Sequence, residues 1–229
     1  MIQFYFHHTP NPMKVALFLE ESGLAYEVVP VDIFKGEQHT TEYRAINPNQ
    51  KTPAIIDGSN TVFDSNAILL YLGEKTDQFM GNPEERGQLY SWLMFVATGL
   101  SPFSGQAVHF QHAAPELPYA INRYRREVER HYGILDERLR NQQYIVSNEY
   151  TIVDMAAWGW IDRFPLVLGE NALDKFPHLK AWYERVNARK AVERARNVGK
   201  DINFKTNFDE ETQRSLFPQN YPKAGVQVH

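Results

Sequence analysis

Strand and helix patterns alternate along this chain as far as Thr76, and from Pro83 onward strand signals nearly vanish while helical spacing takes over. A single change of period of this kind reads as a small α/β unit followed by an all-helical bundle, with the boundary between Thr76 and Pro83. The expected domains are therefore 1–80 and 84–229. Within the first, Ile2 to His7 is a short aromatic and aliphatic run, and Thr9-Pro10-Asn11-Pro12 punctuates it before an apolar stretch to Ser22. That pattern predicts strand, tight loop and helix, with Asn11 as N-cap, Pro12 at the first helical position and Gly23 as the stop. Glu27 to Val31 predicts a second strand, followed by a polar loop carrying Lys35, Gly36, Gln38 and His39. Asn47-Pro48-Asn49 then turns the chain into a third strand ending at Asp57. Gly58-Ser59-Asn60 folds it back as a hairpin into Thr61-Val62-Phe63, and a helix opens at Ser65, which can cap it. The order is β-α-β, loop, β-β-α.

In the second part the clearest helix is Tyr119 to Leu139, where Ile121, Tyr124, Val128, Tyr132, Leu135 and Leu139 recur at steps of three or four and charged residues fill the other face. Pro102 is expected to end or kink the helix before it and to shape a bend lining a cleft. Further helices are expected from near Ile152 and near Pro177. Thr151 and Asp154 have the spacing of a capping box, a folding device rather than a catalytic one. From Gly199 the chain is polar, with Ile202, Phe204, Phe208, Leu216 and Phe217 spaced as in a tail that packs back on the surface.

Composition narrows the chemistry. Of 229 residues, 43% are hydrophobic and 23% charged, enough for a proper core and unlike disordered or fibrous chains. The net charge of −4 gives no drive toward nucleic acid or an anionic membrane, so the expected ligand is small. There is no cysteine, which removes disulfides, thiolate metal sites and any cysteine nucleophile, so thiol chemistry requires a borrowed thiol. The start MIQFYFHHTPNP lacks the marks of a secretory signal and no run approaches a membrane span, which makes the cytoplasm the default expectation. His109 and His112 stand three apart, but without a third ligand they make a weak metal site, and no metal is expected.

Three segments, Asn49-Gln-Lys-Thr-Pro-Ala-Ile-Ile-Asp57, Phe63-Asp-Ser-Asn-Ala-Ile-Leu-Leu-Tyr-Leu72 and Thr151-Ile-Val-Asp-Met-Ala156, occur in an order and spacing that resembles the glutathione transferase superfamily. Thr9-Pro-Asn11, His109-Phe-Gln-His-Ala-Ala-Pro115 and Pro118-Tyr-Ala-Ile-Asn-Arg-Tyr124 are similar to its nu class. The resemblance covers nearly the whole chain. It implies a thioredoxin-like α/β N-terminal domain that binds glutathione, an all-α C-terminal domain that holds the second substrate, and a homodimer.

The resemblance also implies roles for individual residues. Pro53 matches a cis proline that turns the backbone of Thr52 toward the cysteinyl part of glutathione, although Thr52-Pro53 alone is also an ordinary strand-start proline. Asp64 and Ser65 match the helix end that reads the γ-glutamyl ammonium and carboxylate, and Asp64 stands where many relatives have glutamate. Gln38 and Lys51 match ligand-reaching positions, and Arg123 matches an arginine that a nu-class helix brings to the glutathione site. Where other classes place a tyrosine, serine or cysteine after the first strand, this chain has Thr9 and Asn11. Their O–H and amide N–H groups, with the helix dipole, suit stabilisation of the glutathione thiolate. Taken alone, without the rest of the family pattern, these residues read as a loop threonine and a capping asparagine. Nu-class resemblance further implies glutathione-dependent disulfide reduction, with peroxide reduction beside it. Conjugation of glutathione to electrophiles, or a binding module without turnover, uses the same residues and stays open.

Overall fold

A computed structural model describes residues 1–221 of the chain. In β1 (Ile2–Phe6) the apolar alternation expresses itself directly, with Ile2, Phe4 and Phe6 buried, Gln3 exposed and Tyr5 turned to the other face. β2 (Tyr26–Pro30) runs parallel to β1 with Phe4 opposite Val28, and β3 (Ala54–Asp57) runs antiparallel with Tyr5 opposite Ala54. β4 (Asn60–Phe63) completes the sheet by pairing Asn60 with Asp57, so the hairpin loop is Gly58-Ser59, with Gly58 at φ 61°. The strand order is β2-β1-β3-β4.

α1 (Pro10–Ser22) departs from expectation at its start. Thr9-Pro10 and Asn11-Pro12 both offer a cap followed by a first-turn proline, and the chain uses the earlier pair. Thr9 is the N-cap in extended conformation, and Asn11 lies inside the first turn. Gly23 ends the helix at φ 70°, as expected. Pro12 to Leu19 are buried without interruption because α1 packs against α3, α7 and α10.

The segment expected to be a loop contains a short helix, α2 (Thr41–Ile46), capped by the Thr40 side chain accepting the Tyr43 N–H. It covers the outer face of the sheet, where the Tyr43 ring sits 5.8 Å from that of Tyr5. In α3 (Ser65–Thr76) the cap is Asp64 rather than Ser65. The Asp64 Oδ1 accepts the N–H groups of Asn66 and Ala67, and its backbone takes a positive φ of 71° to do so.

No strand follows β4 among the described residues. α4 (Arg86–Phe95) passes through a π-turn at Val96–Leu100 into α5 (Ser101–His112). Pro102 therefore sits just past a break in the regular ladder, where its missing N–H is least costly. α6 (Pro118–Arg138) has the amphipathic face expected of it, with Val128, Tyr132 and Leu135 buried and Leu139 buried just beyond its end. α7 (Ile152–Ile161) opens with the Thr151 and Asp154 capping box and is buried almost throughout. α8 (Phe164–Val167), α9 (Pro177–Asn187) and α10 (Lys190–Asn197) complete the bundle, and α1 packs against both α7 and α10.

The tail does pack back. The Phe204 ring lies 4.4 Å from that of His7, Asp32 Oδ2 accepts the Lys205 N–H at 2.8 Å, and Phe217 meets His109 after α11 (Glu210–Leu216). The C-terminal part of the region expected over 84–229, residues 222–229, lies outside the described residues.

Candidate active site

An open cleft of about 310 Å³ lies where α1, β3 and α3 approach one another. Its walls are Asn11, the turn residues Asn47, Asn49 and Lys51, the Thr52-Pro53 pair, and Asp64 with Ser65. Five of the nine residues singled out from the sequence for the site (Lys51, Thr52, Pro53, Asp64 and Ser65) thus meet here with Asn11, a sixth.

The Thr52–Pro53 bond is cis. Pairing of β1 with β3 stops at Tyr5 and Ala54, and neither the N–H nor the C=O of Thr52 has a hydrogen-bond partner among the described residues. That is an open strand edge facing the cleft. The preceding turn is held rigidly. The Asn47 side chain donates to the Lys51 carbonyl at 2.6 Å and accepts the Asn49 N–H at 2.9 Å, while the Tyr43 hydroxyl donates to the same Lys51 carbonyl at 2.7 Å.

At the α3 end, Asp64 Oδ1 is consumed by capping at 2.8 Å and 3.2 Å, which leaves Oδ2 without a partner among the described residues. The two N–H groups after Ser65 are satisfied by that cap, but the Ser65 N–H is not. The cleft therefore contains, side by side, a carboxylate oxygen and an orphan helix-end donor, a pair suited to an ammonium and a carboxylate on one carbon.

On the opposite wall Asn11 is fixed from a distance in sequence. Trp160 Nε1, which can only donate, gives its hydrogen to Asn11 Oδ1 at 3.0 Å. This settles which way the amide points, and its NH₂ group is left as the free end. Trp160 reaches it because α7 crosses α1 closely at Gly159, where a β-carbon would stand 2.7 Å from the Pro10 carbonyl. Thr9, the N-cap, uses its hydroxyl for no capping bond.

Two family descriptions match the chain: "Glutathione S-transferase, N-terminal domain" over residues 2–74 and "Glutathione S-transferase, C-terminal domain" over residues 113–190. The chain is 42% identical to the disulfide-bond oxidoreductase YfcG of Escherichia coli, across 85% of this chain and 94% of that protein. It belongs to the glutathione transferase superfamily. Among solved structures of the superfamily, a Pseudomonas fluorescens glutathione transferase family member with two glutathiones bound matches with a TM-score of 0.81 and 35% identity, covering 85% of this chain and 92% of that one. A Pseudomonas putida glutathione transferase holding one glutathione disulfide per subunit matches at 0.79 and 33% identity, over 86% and 91%.

Against this transferase frame, two expected site residues stand apart from the cleft walls. Gln38 is buried in the turn before α2, and its amide donates to the Ser215 carbonyl of the tail at 3.1 Å. Arg123 is exposed on α6 and does not line the cleft. Thr9 borders the Asn11 wall without being part of it. Among the described residues no group of three or more His, Asp or Glu side chains is placed to hold a metal ion, and no helix is long and apolar enough to cross a membrane. Asn47, Asn49 and Trp160 were not expected at the site. The Asn47-Pro48-Asn49 turn carried a local signal for the first two, whereas Trp160 lies 149 residues from its partner and carried none.

Proposed function

We propose that this protein is a glutathione-dependent disulfide-bond reductase whose thiol is that of bound glutathione. The observation that carries the reading is the Asn11 amide, pinned by Trp160 with its N–H donors free in the same cleft as the open Thr52 edge. In this reading the Thr52 N–H and C=O pair with the cysteinyl backbone. Ser65 takes the γ-glutamyl carboxylate and Asp64 Oδ2 its ammonium, while Lys51 adds positive charge at the rim. Asn11 Nδ2–H and the Thr9 hydroxyl donate to the sulfur, helped by the start of α1. Gln38 and Arg123 receive no direct contact.

A free thiol titrates near 8.5, so donors that favour the thiolate raise the fraction able to attack at neutral pH. The glutathione thiolate attacks one sulfur of the substrate disulfide, forming a mixed disulfide while the other sulfur leaves and takes a proton. A second glutathione thiolate then attacks the glutathione sulfur of the mixed species, releasing glutathione disulfide and the second substrate thiol. Two electrons pass from two glutathiones to one disulfide, and no protein cysteine is needed. The same thiolate can attack a peroxide. The names of the relatives support the first of these reactions for this chain. The reading also takes the chain as a cytoplasmic homodimer, and Phe63, Tyr90 and Met94 are large apolar side chains left exposed on β4 and α4.

Hydroxyethyl-disulfide reduction coupled to glutathione reductase is the test. Turnover well above the rate of chlorodinitrobenzene conjugation is expected, with cumene hydroperoxide in the same coupled assay reporting peroxidase activity. Conjugation faster than disulfide reduction would make this an ordinary transferase. Glutathione binding without turnover on any of the three substrates would make it a binding module.

A further inference from the structure

Lys14 is wholly buried in α1, and its stem passes Gly159 so closely that a β-carbon there would fall 2.5 Å from Lys14 Cγ. Its ammonium lies 2.9 Å from Ser101 Oγ and 3.4 Å from Ser65 Oγ. No carboxylate is within 4.0 Å of it among the described residues. A lysine in the core without an ion partner is costly, and a methionine would fill the same space at no such cost. What sets this lysine apart is its place. Ser65 forms one wall of the cleft, so the ammonium sits directly behind that wall. In its ammonium form Lys14 can only donate, so Ser65 Oγ accepts from it and the serine O–H is left to point at whatever occupies the cleft.

We infer that Lys14 is a positioning residue for the γ-glutamyl α-carboxylate, fixing the Ser65 hydroxyl as a donor toward it and supplying from behind the positive charge that balances it. The inference rests on the glutathione reading of the cleft. The Gly159 backbone of α7 passes the Lys14 stem, and from α5 the Ser101 hydroxyl meets the ammonium. Asp64, at the start of α3, is the charged group that acts on it at longer range. From α10 and the turn before it, Arg194 and Arg189 pair with Glu20 and Glu21 at the far end of α1. Burial pushes the Lys14 ammonium down to about 7, with Asp64 pulling weakly the other way. A carboxylate across Ser65 favours the charged form, so ligand binding takes up a proton. Affinity is then highest below pH 7 and falls as pH rises through the free-state value, levelling off above the raised value of the complex.

The probe is S-methylglutathione, whose thiol cannot titrate, measured by calorimetry between pH 6 and pH 8 beside its 4-aminobutanoyl analogue, which lacks only the γ-glutamyl α-carboxylate. Wild-type affinity for S-methylglutathione is expected to fall about tenfold across this range, while that for the analogue stays flat. Lys14→Met is expected to fold with unchanged or higher thermal stability, to bind S-methylglutathione about tenfold more weakly at pH 6, and to lose the slope. A flat wild-type profile overturns the inference while leaving the glutathione reading intact, and so does a Lys14→Met variant that keeps both affinity and slope. Absence of S-methylglutathione binding at every pH overturns the glutathione reading, and the Lys14 inference falls with it.

Discussion

Asn11→Ala is expected to lower kcat for disulfide reduction by roughly 10- to 100-fold, the range for losing a hydrogen bond to a charged group, while S-methylglutathione binding changes by less than about threefold. The asymmetry follows from where the amide points. In the proposed function Asn11 Nδ2 donates to the sulfur, where the charge develops, whereas Thr52, Asp64 and Ser65, also in the cleft wall, take the rest of the tripeptide. The thiol of bound glutathione should titrate higher in the variant, visible as less thiolate absorbance at pH 7. Asn11→Asp is the sharper comparison. It keeps an oxygen for Trp160 to donate to but offers a carboxylate instead of a donor to the sulfur, so it should be at least as slow as Asn11→Ala. Trp160→Phe leaves the amide in place but frees it to rotate, and an intermediate loss is expected. If Asn11→Ala and Asn11→Asp both turned over at the wild-type rate, the amide would not be what holds the thiolate.

Most of the architecture was legible because punctuation in this chain is explicit. Proline and glycine stand at the ends of elements, and the switch from mixed to purely helical patterning comes where the strands end. The misreadings at helix starts share one cause. Thr9-Pro10 and Asn11-Pro12 are equivalent as local signals, as are Asp64 and Ser65, and only the path of the neighbouring strand decides between them. In the second case Asp64 Oδ1 accepts two N–H groups at once. α2 was missed because it has only six residues, with a single fully buried side chain, Tyr43. Too short to show a period, it is held by the sheet beneath it.

The site was legible where its residues are close in sequence, as in Lys51 to Pro53 and Asp64 to Ser65. It was not where two distant segments share a side chain. Trp160 completes Asn11, and the tail withdraws Gln38 through the Ser215 carbonyl, 177 residues away. Lys14 is the clearest instance. A lone lysine in an apolar helix reads as the solvated edge of that helix, and only the packing of α7 across α1 shows that it has no solvated edge.

The largest stability effect is expected at Asp154, on the same helix that carries Gly159 and Trp160. Its Oδ1 accepts the Ile145 N–H at 3.0 Å and the Trp182 Nε1–H at 2.8 Å, and its Oδ2 accepts the Thr151 N–H at 2.9 Å and hydroxyl at 3.2 Å. Burial pushes its carboxyl up to about 6, against the pull of these four donors, so at neutral pH it remains the acceptor that all of them need. Asp154→Ala strands the Ile145, Thr151 and Trp182 N–H groups in the core. At about 1 to 3 kcal/mol for each buried group left unsatisfied, a loss of at least about 3 kcal/mol is expected, read as a lower urea midpoint by tryptophan fluorescence. Asp154→Asn should recover only part of this, because its NH₂ group must face donors on one side. Trp182→Phe removes one donor and leaves no N–H stranded, so it should cost less than Asp154→Ala. A change under about 1 kcal/mol for Asp154→Ala would mean that water or a shifted loop takes over the stranded donors, and that the capping box is not what seats α7. Because α7 also delivers Trp160 to Asn11, any Asp154 variant that still folds should show its remaining loss in kcat before it shows it in glutathione affinity.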